Sequence, residues 1–290
     1  MKNLNKILLE TFVAHRPVRA LLLSTEILGV TRIVYRVPEE SPLFRRGDGE
    51  ILELPLDKTM ARWVLEHGSW QIEDINFVAA HAPKQPLVLL DVGAHIGLMT
   101  RQLMHLLPDI AAAVCYEPQA LNFAILSRNL AHLPNCHLVQ AAVGSMSGRL
   151  TFYEDTQNTG NYSLSIESVR SREYQVSEVE CVRAHDGEFL NRLPSETAHL
   201  PIIWKSDTQG FDEIIATSLS DDFWSRVPVA LMEISRINRA TLDVTRLSSI
   251  LGLFPIRRFS TRPELLSVEE ILRYAHGSDG SHQDLLLAKG

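Results

Sequence analysis

The sequence predicts an α/β protein built on a doubly wound, mostly parallel sheet. Two observations carry this. From residue 87 onward, uninterrupted apolar runs of four to six residues alternate with stretches of helical spacing. The first of these runs, LVLLDVGAHIG (87–97), stops on an acid followed by two glycines four positions apart. Strands that are apolar throughout, rather than apolar on alternate residues, have both faces covered by helices.

The elements follow in order. Residues 4–34 have helical spacing, broken by Pro17. Residues 36–58 are turn-rich with short extended pieces, 59–80 return to helical spacing, and APKQP at 82–86 closes this leader. Residues 1–80 are therefore expected to form a helical N-terminal extension, and 81–290 the main domain. There LVLLDV (87–92) leads into IGLMTRQLMHLLP (96–108), and AAAVCYEP (111–118) into QALNFAILSRNLAHLP (119–134). HLVQAAVG (137–144) is the third strand. PIIWKSD (201–207) precedes FDEIIATSLS (211–220), and VALMEIS (229–235) precedes RATLDVTRLSSILG (239–252). HQDLLLAKG (282–290) reads as the final strand. Residues 149–200 interrupt the alternation: RLTFYED and SEVECVRAHD alternate as edge strands do, around a polar, Gly/Asn/Ser-rich stretch. Long insertions of this kind are usually functional, and this one is expected to lid an acceptor site.

The chain has 290 residues, 45% hydrophobic and 22% charged, enough for a full hydrophobic core. Its net charge of -7 argues against non-specific nucleic-acid binding, which needs a basic face. The pairs Arg45–Arg46 and Arg257–Arg258 are too short to change that. Cys115, Cys136 and Cys181 are odd in number and widely spaced, and read as buried thiols of a reducing compartment. No uncharged apolar run of membrane-spanning length and no signal peptide is visible, so the chain is expected to be cytoplasmic, without stable membrane insertion.

In an open parallel sheet, ligands bind beyond the carboxyl ends of the strands. The turn Gly93-Ala94-His95-Ile96-Gly97 lies at such a place. Gly93 permits a backbone that a side chain forbids, and Gly97 allows close packing of the following helix, whose N-terminus would offer free N–H groups. A dinucleotide fold wants G-x-G-x-x-G. Here His95 takes the place of the middle glycine, which disfavours a pyrophosphate. Asp91 suits the ammonium of an amino-acid moiety instead. S-adenosylmethionine carries such a group and no phosphate. Glu117, at the end of the second strand, is placed to accept both ribose hydroxyls, with Pro118 beside it.

With those residues in hand, the ordered set DVGAHIGLMT, CYEPQALNFAILSRNL, QAAVGSMSGRLTFYED, TGNYSLS, WKSDTQGFDEIIATSL and ALMEIS resembles the FkbM family of S-adenosylmethionine-dependent O-methyltransferases. The resemblance covers residues 70–236. It implies the seven-stranded, Rossmann-like methyltransferase fold and methylation of a hydroxyl on a sugar, glycan or natural-product metabolite. Many members carry a glutamate where Gln209 stands, so Gln209 is not read as an essential acid. By the same resemblance, the segment with Trp70, Gln71 and Glu73 covers the cofactor, with Glu73 meeting its ammonium.

The remaining assignments are expectations for such a site. Asp91, Gly93 and Gly97 hold the methionine part. His95 lines the site toward cofactor or substrate, and the backbone of Ala141, Ala142 and Val143 frames the adenine. An alcohol is a weak nucleophile, so a base must take its proton. Asp207 is favoured for that task over Glu233, whose burial in VALMEIS demands a partner. Lys205 lies two positions before Asp207 on the same side of the strand, as an ion-pair partner, an activator or part of a metal site. Asn161, Ser163 and His185 are the candidate acceptor contacts. Metal is not required by the chemistry; Asp207, Glu233 and His185 are the available ligands. The rival readings are a fold retained as a non-catalytic scaffold and a nicotinamide-dependent oxidoreductase. Residues 1–58 are assigned no more than dimerisation, covering the site, or docking a carrier.

Overall fold

The computed structural model describes residues 32–37, 39–44, 50–55, 59–169, 172–236 and 242–290. The helix expected over most of 4–34, and the pair Arg45–Arg46, lie outside them. Arg32–Arg36 (β1) and Ile51–Pro55 (β2) pair antiparallel. β2 falls among the short extended pieces expected over 36–58, whereas β1 stands largely where helical spacing was read. The alternating residues Ile33, Tyr35, Leu52 and Leu54 of this hairpin are buried, as a strand with one covered face requires. Helices Met60–His67 (α1) and Ile72–His81 (α2) follow, separated at Gly68, whose left-handed φ of 70° ends α1.

The central sheet begins with Leu87–Val92 (β3), every residue of it buried. Leu98–Leu106 (α3), Ile110–Tyr116 (β4), Ala120–Asn129 (α4) and Cys136–Val139 (β5) come next. The third strand is shorter than HLVQAAVG implied. The chain leaves the central sheet after Val139, and Ala142–Gly144 (β6) joins a second sheet with Gly148–Asp155 (β7), Tyr162–Ser163 (β8) and Tyr174–Arg183 (β9), in the order β6-β9-β7-β8. The two alternating segments expected as exposed or edge strands are strands, largely exposed, and they pair with each other, β7 antiparallel to β9 from Gly148 to Asp155. Ile166–Val169 (α5) lies between β8 and β9.

After Asp186–Leu190 (α6) the main sheet resumes with Ile202–Ser206 (β10), Asp212–Thr217 (α7), Asp221–Ser225 (α8), Val229–Ser235 (β11), Val244–Gly252 (α9), Ile256–Phe259 (β12), Val268–Ala275 (α10) and His282–Ala288 (β13). The strand order is β12-β13-β11-β10-β3-β4-β5. All neighbours are parallel except β13, which runs antiparallel between β11 and β12. This is a doubly wound, seven-stranded, mostly parallel arrangement. From β3 the chain winds outward through β4 and β5, then returns to lay β10 on the other side of β3. Strand order thus reverses between β3 and β10, the place where a crevice opens.

Helices cover both faces. On one face Trp204, Phe223, Trp224, Phe189 and Phe254 make edge-on contacts, with ring centroids 5.6 Å apart for Trp204 and Phe223. On the other, Ile75 and Val78 of α2 and Leu103 of α3 pack on β3 and β11, so α2 is built into the core. A smaller cluster joins the hairpin and α1 to Ile96, Leu98 and Ile125. The buried guanidinium of Arg101 stitches it down, donating to the carbonyl oxygens of Leu43 (2.6 Å) and Asn129 (3.1 Å). The three cysteines are free, with Cys115 and Cys181 buried. Among the described residues, no helix is long and apolar enough to cross a membrane.

Candidate active site

The turn after β3 is set by one close approach. Gly93 has φ 77°, and a Cβ there would lie 2.0 Å from the Asp207 carbonyl oxygen at the end of β10. Only glycine fits. Gly97 (φ 84°) serves packing instead: a Cβ would meet Leu126 of α4 at 2.8 Å. Four of the turn's five N–H groups are spent within the protein. Gly93 and Ala94 donate to the Tyr116 carbonyl, Gly97 to the Ala94 carbonyl, and His95 to Glu117. The anion cradle expected at this helix start is thus closed at those four positions, and a pyrophosphate has no donors there.

Asp91 does not line the cleft. It lies beneath the turn, 2.9 Å from Lys205 Nζ and accepting from the Thr100 hydroxyl, while Lys205 also donates to the Gly93 carbonyl at 2.6 Å. Asp91 was expected to attract a ligand ammonium directly or through water; the structure instead places it against Lys205, so that Asp91 holds the lysine that holds the turn. Burial alone would lower the Lys205 pKa, but the charges of Asp91 and Asp207 outweigh it and raise it. Lys205 itself reaches the cleft.

The cleft, about 290 Å³ in volume, runs along the carboxyl ends of β3, β4, β10, β11 and the start of β13. At one end stands Glu117, buried at the tip of β4. It accepts the N–H of His95 (3.0 Å) and of Gln119 (2.9 Å). Burial pushes its carboxyl up to about 8, countered by those two donors and the Asn122 amide. Pro118 and the Ala141–Val143 segment continue this wall.

At the other end several acids converge. Gln209 Nε2 donates to Asp207 Oδ1 (2.6 Å) and to Glu233 Oε2 (2.7 Å). Glu233 also accepts from Ser235 (2.8 Å). Opposite Glu233 in the β11–β13 register is Asp284, which accepts from Gln71 at 2.8 Å. Burial, then the charges of Asp207, Asp212 and Asp284, raise Glu233 well above the usual carboxylate range. Burial and Asp207 push Asp284 to about 8. Asp212 behind them, accepting from Thr208, is pushed to about 7 by burial and then by Asp207. Such a group cannot hold all its negative charges together.

A strap from the second sheet crosses above. Thr159 Oγ1 lies 3.1 Å from His95 Nε2, and the Thr159 carbonyl accepts from Asn122 (3.1 Å). Further along, the Ser163 and Ser168 hydroxyls donate to the Gln209 carbonyl. The non-glycine residues with left-handed backbone among those described are Gln71, His95 and Gln209, and all three line the cleft. Strain of that kind gathers at functional sites.

The cleft thus brings together His95, Gly93, Glu117, Pro118, Ala142, Lys205, Asp207 and Glu233 of the expected set, with Trp70 and Gln71. Others fall elsewhere. Glu73 is exposed in the first turn of α2 and faces away from the cleft, whereas Gln71 faces it. Ser163 is engaged with backbone and does not line the cleft. Asn161 lines it, but its amide is committed to Asp155 at 2.9 Å. His185 caps α6, its ring accepting the Gly187 N–H at 3.1 Å, remote from the cleft. Among the described residues, no three His, Cys, Asp or Glu side chains converge as a metal site. Asp284, Asn122, Arg172 and His282 line the cleft and were missed. Asp284 carried a legible signal, an acid opening the apolar run HQDLLLA, the same signal that marked Glu233.

No family model matches the chain, and no curated protein does. Among solved structures it is similar to a methyltransferase FkbM from Methylobacillus flagellatus KT, at 14% identity and TM-score 0.38, over 76% of this chain and 48% of that one. The chain thus spans about half the length of that protein. It is also similar to a precorrin-6y C5,15-methyltransferase from Geobacter metallireducens GS-15, at 12% identity and TM-score 0.35, over 76% of this chain and 87% of that one. An rRNA methylase from Streptococcus thermophilus gives 10% identity and TM-score 0.36, over 74% and 93%. These likenesses are distant, and the functional reading stands on the cleft itself.

Proposed function

We propose that the protein is an S-adenosylmethionine-dependent methyltransferase that methylates a hydroxyl of a sugar, glycan or natural-product metabolite. The observation that carries this is Glu117 at the tip of β4, facing a turn in which the N–H groups of Gly93, Ala94, His95 and Gly97 are already spent. A nucleoside without phosphates suits such a site, and a dinucleotide does not. The acid-rich far end of the cleft suits a ligand bearing an ammonium and a sulfonium. When bound, S-adenosylmethionine supplies an electrophilic methyl group. The acceptor class is the one that the sequence resemblance implies.

The chain's own residues then have distinct tasks. Glu117 accepts from the ribose, and the Ala141–Val143 segment frames the base. Lys205, held by Asp91, fixes the turn against β10. Asp207 takes the acceptor's hydroxyl proton at a carboxylate oxygen. Gln209 fixes the angle between Asp207 and Glu233, and the strap excludes water. Orientation is the larger contribution, since aligned pairs reach effective molarities of about 10⁵–10⁸ M.

Titration calorimetry with S-adenosylmethionine, S-adenosylhomocysteine and NAD tests this. Binding of the first two and not the third is expected. Binding of NAD, or of none, overturns it.

A further inference from the structure

Both oxygens of Glu117 already serve a backbone N–H. Oε2 accepts from His95 and Oε1 from Gln119. An ionised carboxylate offers about four lone-pair positions, so a ribose placing both hydroxyl donors here would fill every one of them. An acceptor beside Glu117 would relieve that crowding.

Asn122 stands beside it, on the first turn of α4. Its amide nitrogen donates to the Thr159 carbonyl at 3.1 Å, and the same side chain favours the ionised form of Glu117. A backbone carbonyl can only accept, so the nitrogen must face it and the amide cannot be turned over. The carbonyl oxygen, Oδ1, is then left buried without a partner, on a side chain 1% exposed that lines the cleft. Buried acceptors are nearly always satisfied, and one that is not is costly until a donor arrives.

We propose that Asn122 Oδ1 is the second ribose acceptor: one hydroxyl of the bound nucleoside donates to Glu117 and the other to Asn122. This rests on the nucleoside reading given above. It makes Asn122 a specificity residue, which requires a ligand with both ribose hydroxyls free and rejects one that is deoxygenated or phosphorylated there. It also ties the strap to the cofactor end, since the same amide holds Thr159.

The test is a cycle of binding constants for wild type and N122A, with S-adenosylhomocysteine and its 2′-deoxy and 3′-deoxy analogues. In wild type, deleting the hydroxyl that meets Asn122 is expected to weaken binding about tenfold. In N122A the same deletion should cost little, because its partner is already gone. The other deoxy analogue should lose equally in both proteins. A merely structural Asn122 would weaken all three ligands alike. Equal losses in both proteins for both analogues overturn the proposal. If N122A does not fold, N122S gives the same ratios, a serine hydroxyl being too short to replace the carbonyl. Wild type failing to bind S-adenosylhomocysteine at all overturns the nucleoside reading as well; binding without coupling overturns this proposal alone.

Discussion

Lys205 Nζ lies 2.9 Å from Asp91 Oδ1, with the two side chains 6% and 0% exposed. They are register partners on adjacent strands, β10 and β3, on either side of the point where strand order reverses. A buried pair of this kind is weak evidence of net stability, but breaking it strands a charge. K205M is expected to lose about 3–5 kcal/mol in denaturant unfolding. K205M/D91N should recover part of that. A loss in K205M no larger than the ~1 kcal/mol of a surface pair would contradict the burial of Asp91.

Asp207 is assigned the acceptor's proton. D207N should bind S-adenosylhomocysteine as wild type does and lose about 10²–10⁴-fold in kcat. Single-turnover methylation, once an acceptor is in hand, reads this directly. Normal turnover in D207N removes Asp207 from the role.

Glu117 and Asp284 are both raised to about 8 in the folded chain. A raised acid keeps its proton longer folded than unfolded, so in this window the unfolded chain binds fewer protons. Stability is then fullest below the ordinary carboxylate range and declines as pH rises toward 8. Melting temperature of the ligand-free protein should fall across that span, and less steeply in E117Q. A cationic ligand favours the ionised acids, so S-adenosylmethionine should bind more tightly as pH rises, releasing protons. Calorimetry in two buffers of different ionisation enthalpy measures that release; proton uptake would contradict it.

The two glycines of the turn should part company. G93A drives a Cβ into the Asp207 carbonyl at φ 77°; the left-handed backbone alone costs about 1–2 kcal/mol, and S-adenosylhomocysteine binding should be lost. G97A meets only the Leu126 and Leu130 side chains, which can yield. It should destabilise while keeping binding. Thermal melts with and without ligand separate the two.

H185A should behave as the loss of a helix cap. About 0.5–2 kcal/mol of stability should go, as for other capping residues, with kcat/KM unchanged. A fall in kcat/KM at constant stability would return His185 to the acceptor site.

Much of this was legible in the sequence because burial on both faces leaves a plain trace. LVLLDV, PIIWKS and VALMEIS are apolar on both faces apart from the polar residues near their carboxyl ends, and each is a central strand. The β6–β9 sheet was less legible, because its strands are exposed on one face and their partners are set by tertiary contact. β12 was missed: Ile256–Phe259 is four residues with two arginines. α10 was also missed, although Ser267 and Glu270 form a capping box that the pattern S-x-x-E announces. In the site, strand-end acids were found by position. Asn122 and Gln71 were not assigned their contacts, since an amide's task depends on which neighbours the fold supplies. Asp91 and His185 were misplaced for the same reason: the residue type was suited to a ligand, and the protein had already used it.

The hydrogen bond from Gln71 to Asp284 joins residues 213 positions apart, and β13 must thread between β11 and β12 to make it. Closing so long a span is entropically demanding and comes late in refolding. The half of the sheet formed by β3, β4 and β5 can gather from nearby chain, but Asp284 joins the acid group only once the threading is complete. On dilution from denaturant, helical circular dichroism should therefore return ahead of the capacity to retain a nucleoside. The interval between the two signals times the arrival of the antiparallel strand.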